Sequence, residues 1–205
     1  MTAKLISILL LWTLVTNAHE HWLYTDYANY KAGDVVTVHL HSGHTTGESE
    51  FLIDTKLIRE AFVVDPEGHR TPLIFKPEGQ EHIATFTCTV PGTHDIIANL
   101  RKRPSGPFSY LLKTRVQAGT NPTIMQPTNQ ELEIVAENPV STLQVFTGAE
   151  QVKVPIALFS PDGSEHSLIM DREGISQFNS DQSGFHLAVC HFRRQTACFS
   201  FYYAD

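Results

Sequence analysis

The sequence predicts an all-β protein, organised as two immunoglobulin-like antiparallel β-sandwich domains behind a cleaved signal peptide. Three observations carry that reading. Apolar and polar residues alternate with a period of two through most of the chain, and Pro, Gly, Asn and Asp close the runs at short intervals. Beyond the first 18 residues, no segment carries the apolar period of an amphipathic helix of three turns.

The elements follow in chain order. "MTAKLISILLLWTLVTNA" has Lys4 near its start, an apolar core from Leu5 to Val15, and Thr16 and Ala18 spaced as an export peptidase requires. The apolar run is well short of the roughly 20 residues that a spanning helix needs, so residues 1–18 read as a signal peptide. No later segment compensates, and no membrane span is expected after cleavage. Removing 18 of 205 residues leaves 187, enough for one large or two small β domains.

"DVVTVHLHSGH" alternates Val36, Val38 and Leu40 with Thr37, His39 and His41, which is a half-buried strand with a histidine-rich polar face. "EAFVVDPEG", "HIATFTCTVPG", "THDIIANL" and "YLLKTRVQAG" complete a first series, placed in a domain over residues 19–118. "AGTNPTIMQPTNQ" breaks the composition, and residues 119–130 read as a linker. "LEIVAEN", "TLQVF", "VPIALFSPDG", "HSLIM", "ISQFNS", "FHLAVCHF" and "ACFSFYY" form a second series over 131–205. Short strands at close spacing suggest a sandwich.

The net charge of −7 and the lack of any basic cluster longer than Arg101–Lys102–Arg103 argue against a nucleic-acid partner. That short basic run reads as a solvated hairpin end. Three cysteines remain in an oxidising compartment, where two should pair. A hairpin centred on Arg194 sets Cys190 opposite Cys198, with Leu187, Val189, Phe199 and Phe201 on the core face; other pairings through Cys88 stay open. In that register Cys88 is left over as a small buried residue. Asp162, Asp171 and Asp181 precede glycines at hairpin ends and read as turn residues, because their spacing is not that of a compact calcium loop.

The chemistry concentrates at the expected mature amino terminus. Cleavage after Ala18 exposes His19, whose amine and imidazole form a chelate. His21, at the third position, allows a square plane of amine, two amides and imidazole, the geometry Cu(II) and Ni(II) prefer. Either mode weakens as pH falls, because the ligands must be deprotonated. His39, His41 and His44 add three imidazoles within six residues, and a sandwich can bring its first two strands together. The blander reading, in which His19 and His21 merely open a strand, stands beside this one. His82 and His94 are weaker candidates, and His69, His166, His186 and His191 read as structural.

"AHEHWL", "YKAGDVVTVHLHSGH", "LEIVAENP", "VPIALFSPDG" and "MDREGISQFNSDQSGFHLAV", in that order, resemble a periplasmic family linked to nickel or cobalt uptake and first catalogued as a domain of unknown function. The resemblance covers essentially the whole mature chain. It implies an exported β-sandwich that captures a divalent ion, Ni(II) or Co(II), beside a membrane metal transporter; Cu(II) is a third candidate on the ligand chemistry of His19 and His21 alone. His19 matches the histidine opening the family's mature domain, and His44 the histidine of its Gly-His turn. His21 stands where the family more often has an aromatic residue. The stretch between "RKRPSGPF" and "LEIVAENP" is also shorter than in many relatives.

Two other classes compete with a non-enzymatic metal carrier. One is an amino-terminal-histidine copper enzyme of the oxidative polysaccharide-cleaving kind, and the other an adhesion or carbohydrate-binding module. Neither a G-x-S-x-G elbow nor an H-E-x-x-H helix is present.

Overall fold

The computed structural model describes residues 20–44, 49–102, 109–119, 127–136, 140, 142–178 and 182–203. These residues are all-β apart from one 3-10 turn at Thr55–Leu57. In chain order the strands are β1 (Glu20–Thr25), β2 (Asn29–Tyr30), β3 (Val35–Gly43), β4 (Ile58–Val64), β5 (Arg70–Pro72), β6 (Lys76–Glu78), β7 (Glu81–Thr87), β8 (Gly92–Leu100) and β9 (Ser109–Ala118). After residues 119–130 come β10 (Glu133–Ala136), β11 (Thr142–Thr147), β12 (Glu150–Val152), β13 (Ala157–Phe159), β14 (Glu165–Ser167), β15 (Ser176–Gln177), β16 (Gly184–Phe192) and β17 (Gln195–Tyr203).

They assemble into three sheets. A central sheet runs β14-β13-β16-β17-β9-β8-β4-β5, with β2 also on β9. One flanking sheet has the order β1-β3-β7-β6, and the other β10-β11-β12 with β15 on β11. Pairing is antiparallel except where β9 meets β17 and β2, which run parallel to it. The two strand series therefore share one sheet: β9 of the first is hydrogen-bonded to β17 of the second across Ser109–Thr114 and Gln195–Ser200.

Two cores lie on opposite faces of that sheet. On one, Leu23, Val36, Val38, Leu40 and Ala84 pack against Ala61, Ile96, Leu112 and Val116. On the other, Ile134, Ala136, Leu143 and Val145 pack against Ala188, Ala197, Phe199 and Phe201. A buried ion cluster also links β8, β9 and β10. Lys113 Nζ lies 3.2 Å from Glu133 Oε2 and 3.4 Å from Asp95 Oδ2, and Arg115 Nε lies 3.4 Å from Asp95 Oδ1.

The β16–β17 hairpin corrects the expected disulfide. Its turn is the two-residue Arg193–Arg194, with Arg193 at φ 57°, so Phe192 opposes Gln195, Cys190 opposes Ala197, and Val189 opposes Cys198. A register one residue from the expected one moves alternate side chains to the other face. Leu187, Val189 and Cys198 consequently join the first core, while Cys190, Phe199 and Phe201 join the second. Cys190, Cys198 and Cys88 are all free and buried, so no Cys190–Cys198 bond forms. Burial pushes the Cys190 thiol up to about 12 and the Cys88 thiol up to about 11. The hairpin's near-continuous apolar run makes sense on these terms, since both its faces are covered.

Candidate metal centre

β3 places His39 and His41 on one face and Val38 and Leu40 on the other, as its period of two requires. In register with β1, His41 lies opposite Trp22 and His39 opposite Tyr24. On the other side Leu40 pairs with His82 and His39 with Ile83, so the next step along the ladder brings Glu81 beside His41. Glu81 opens β7 directly after a two-residue turn in which Gly79 takes φ 59°, and Glu78 and Glu81 face each other across it. A glycine suits that left-handed position, so the turn fixes where the Glu81 carboxylate falls.

Glu81 Oε2 lies 2.7 Å from His41 Nε2 and 2.8 Å from His39 Nδ1. The far nitrogen of the His39 ring, Nε2, lies 3.2 Å from Asp26 Oδ1. An ionised carboxylate only accepts, so each of these contacts requires a proton on the nitrogen. The Tyr24 ring stands 5.2 Å from His39 and 5.5 Å from His41, and the Trp22 ring meets His41 edge-on at 5.6 Å. Both histidine side chains remain 14% exposed and Glu81 26%, so an ion can reach them from solvent.

His39, His41 and Glu81 offer three ligand atoms within 4.8 Å of one another. Two imidazoles and a carboxylate form a donor set suited to Ni(II), Co(II), Zn(II) or Cu(II). Asp26 supplies a typical support: a ligating histidine usually donates its second N–H to a carboxylate, which fixes the ring.

The other expected ligands fall elsewhere. His21 is buried on the face away from His39 and His41, with Nδ1 2.7 Å from Ser42 Oγ and its ring edge-on to Tyr110 at 4.6 Å. Glu20 and His21 also lie in the β1–β3 ladder, opposite Gly43 and Ser42. A square plane through the His21 amide and imidazole would have to dismantle that pairing. His44 Nδ1 lies 2.7 Å from Glu50 Oε2, and its backbone N–H donates to Glu50 Oε1 at 2.9 Å. A Cβ at residue 43 would come within 3.0 Å of Glu50 Oε1, so Gly43 gives this carboxylate its room. His19 and the signal segment lie outside the described residues. His82 is fully buried beside Thr55, and burial pushes its pKa down.

Sequence reasoning missed Glu81 and Asp26. Only the ladder through β3 and the Gly79 turn connects Glu81 to histidines 40 and 42 positions earlier. It also missed Glu20, a carboxylate only 8% exposed. Burial pushes Glu20 up to about 7, and the Cys198 thiol donates to its Oε2 at 3.9 Å. A second group, Asp65, Glu67 and His69, is also close enough to share an ion, but the Asp65 carboxylate already accepts the Glu67 and His69 backbone N–H groups as a turn, and the His69 side chain is 73% exposed.

No family model matches the chain, and comparison with curated proteins returns no match. Among solved structures, a DUF4785 family protein from Legionella pneumophila aligns at a TM-score of 0.32 and 13% identity, over 85% of this chain and 52% of that one. Salmonella alpha-2-macroglobulin aligns at 0.35 and 13%, over 90% and 14% respectively. The D0-D1 domain of Intimin aligns at 0.28 and 11%, over 91% and 98%. The chain spans about half the length of the first of these and a small part of the second. All three scores lie below 0.5.

Proposed function

We propose that this chain is an exported, periplasmic divalent-metal-binding protein that works as a carrier or accessory in Ni(II) or Co(II) uptake, with Cu(II) as a third candidate ion. Its ligands are His39, His41 and Glu81, with Asp26 holding His39. Two immunoglobulin-like units joined through the central sheet, following a signal peptide cleaved after Ala18, would form the scaffold. The single observation that supports this reading is the convergence of the three ligand atoms within 4.8 Å, with the far nitrogen of His39 already on a carboxylate. An ion needs a deprotonated nitrogen from each imidazole, so affinity falls as pH falls.

Calorimetric titration of the exported protein with Ni(II), Co(II), Cu(II) and Zn(II) tests the reading, using His39→Ala, His41→Ala, Glu81→Ala and His44→Ala. The first three substitutions abolish binding at the high-affinity site and His44→Ala leaves it intact. Failure of the wild type to bind any of the four ions would return the chain to the adhesion or carbohydrate-binding class. Intact-mass measurement of the same material reports whether it begins at His19.

A further inference from the structure

Six basic side chains gather at one end of the central sheet, and the topology puts them there. β4 begins where β8 ends, with Ile58 opposite Leu100. Leu100 in turn opposes Tyr110 near the start of β9. Ser109 at that start lies beside Gln195, the first residue of β17, and the Arg193–Arg194 turn sits immediately before it. Lys56 and Arg59 flank the start of β4, Arg101 and Lys102 follow β8, and Arg193 and Arg194 cap the hairpin; all six residues are exposed. At about 4.8 Å between neighbouring strands, the four strand ends make a row about 15 Å wide.

Arg59 is tied to Glu60 at 2.9 Å and to Glu131 at 3.7 Å. Arg101, Lys102, Arg193 and Arg194 make no ion pair among the described residues. Two open depressions, of about 240 and 580 Å³, meet along this end and share Lys102 and Ser109. Against the six cations stand Asp54, Glu60 and Glu131, giving a local charge of +3. The full chain totals −7, or −8 without Lys4 of the signal segment, so the remainder of the mature chain carries −11.

We propose that this end is a docking surface for an anionic membrane, its arginines and lysines meeting phospholipid phosphates. The cations are spread along a blunt edge instead of converging in one enclosed pocket, which suits many phosphates in a plane better than a single small anion. A strongly negative remainder repels a polyanion that would wrap the molecule, yet permits end-on contact with a flat surface. Arginine forks bind phosphate oxygens in pairs, and surface lysines add point charges.

Co-flotation of the mature protein with phosphatidylcholine vesicles, with and without phosphatidylglycerol, tests the proposal. Binding is expected only to the phosphatidylglycerol vesicles, declining as salt is added. Each basic group near such a surface is worth about fivefold in partition, so R101Q/K102Q and R193Q/R194Q each lose about 25-fold. K76Q/K153Q, which alters charge elsewhere, leaves binding unchanged. Circular dichroism of the variants matches the wild type, separating lost docking from lost folding. Wild-type failure to bind phosphatidylglycerol vesicles would overturn the proposal, as would R101Q/K102Q binding them undiminished. Binding of inorganic phosphate without any vesicle binding would overturn it too, in favour of a soluble phosphate ligand.

Discussion

His41 in β3 and His186 in β16 both sit in strands with alternating side chains, yet the layers around them give them opposite chemistry. His41 keeps part of its side chain in solvent and faces the Glu81 carboxylate at 2.7 Å. His186 is fully buried, stacked on Phe201 at 5.5 Å and edge-on to Phe178 at 5.2 Å, with Nε2 on the Gln182 carbonyl at 3.0 Å. Burial pushes the His186 pKa down. An imidazole becomes a candidate ligand where carboxylates and solvent share its face, and a packing group where aromatic rings enclose it.

The largest expected effect lies in the aromatic region. Phe199→Ala removes a fully buried ring from the second core, and chemical denaturation should show a loss of about 3–5 kcal/mol. Metal affinity per folded molecule should not change. A marked loss of affinity would mean that the two regions are not independent.

Next comes the ligand region. Removing a supporting group from a metal site costs roughly 10–100-fold, and His41→Ala, which removes a proposed ligand, should exceed that range in Ni(II) affinity. His186→Ala should leave affinity unchanged while lowering stability. The reverse pattern would break the comparison.

A third effect separates a buried carboxyl from the two solvent-accessible carboxylates around His39, Glu81 and Asp26. Glu20 is held at about 7 against an ordinary value of 4.5, so the folded protein retains its proton after the unfolded chain has ionised. Stability therefore falls as pH rises from about 4.5 to 7 and stays reduced above that range. Glu20→Gln should abolish this slope and stabilise the protein by roughly 2–3 kcal/mol at pH 8. Denaturation midpoints at pH 5 and pH 8 for both proteins provide the check. The buried histidines act with the opposite sign: pKa values pushed down at His82, His94 and His186 make stability fall as pH drops below about 6.5. The smallest effect belongs to Asp26→Asn, which leaves all three proposed ligands in place and should weaken Ni(II) binding by about tenfold.

Particular residues show how far the sequence could lead. The β3 face was legible, because Val36, Val38 and Leu40 against Thr37, His39 and His41 can form little else than a half-buried strand. Glu81 was not, since its place depends on a ladder between strands about 40 positions apart and on the turn at Gly79. The same alternation left His21 ambiguous until the fold placed it on the Leu23 side of β1, against Ser42 and Tyr110. At the end of the chain one backbone angle decided the outcome: Arg193 at φ 57° shortens the turn and sends the Cys190 and Cys198 thiols into different cores. Composition carries little information about such a turn, because an arginine there costs more than the usual glycine or asparagine and the strand pairing has to compensate. The shared central sheet was equally hidden, since the parallel pairing of β9 with β17 joins segments on either side of a composition break.

The most direct measurement is histidine side-chain NMR of the purified protein during titration with paramagnetic Ni(II). The His39 and His41 ring signals should broaden first and together, at less than one equivalent, while that of His186 persists. Initial broadening at His44 or His21 instead, or no selective broadening at any histidine, would contradict the proposed site.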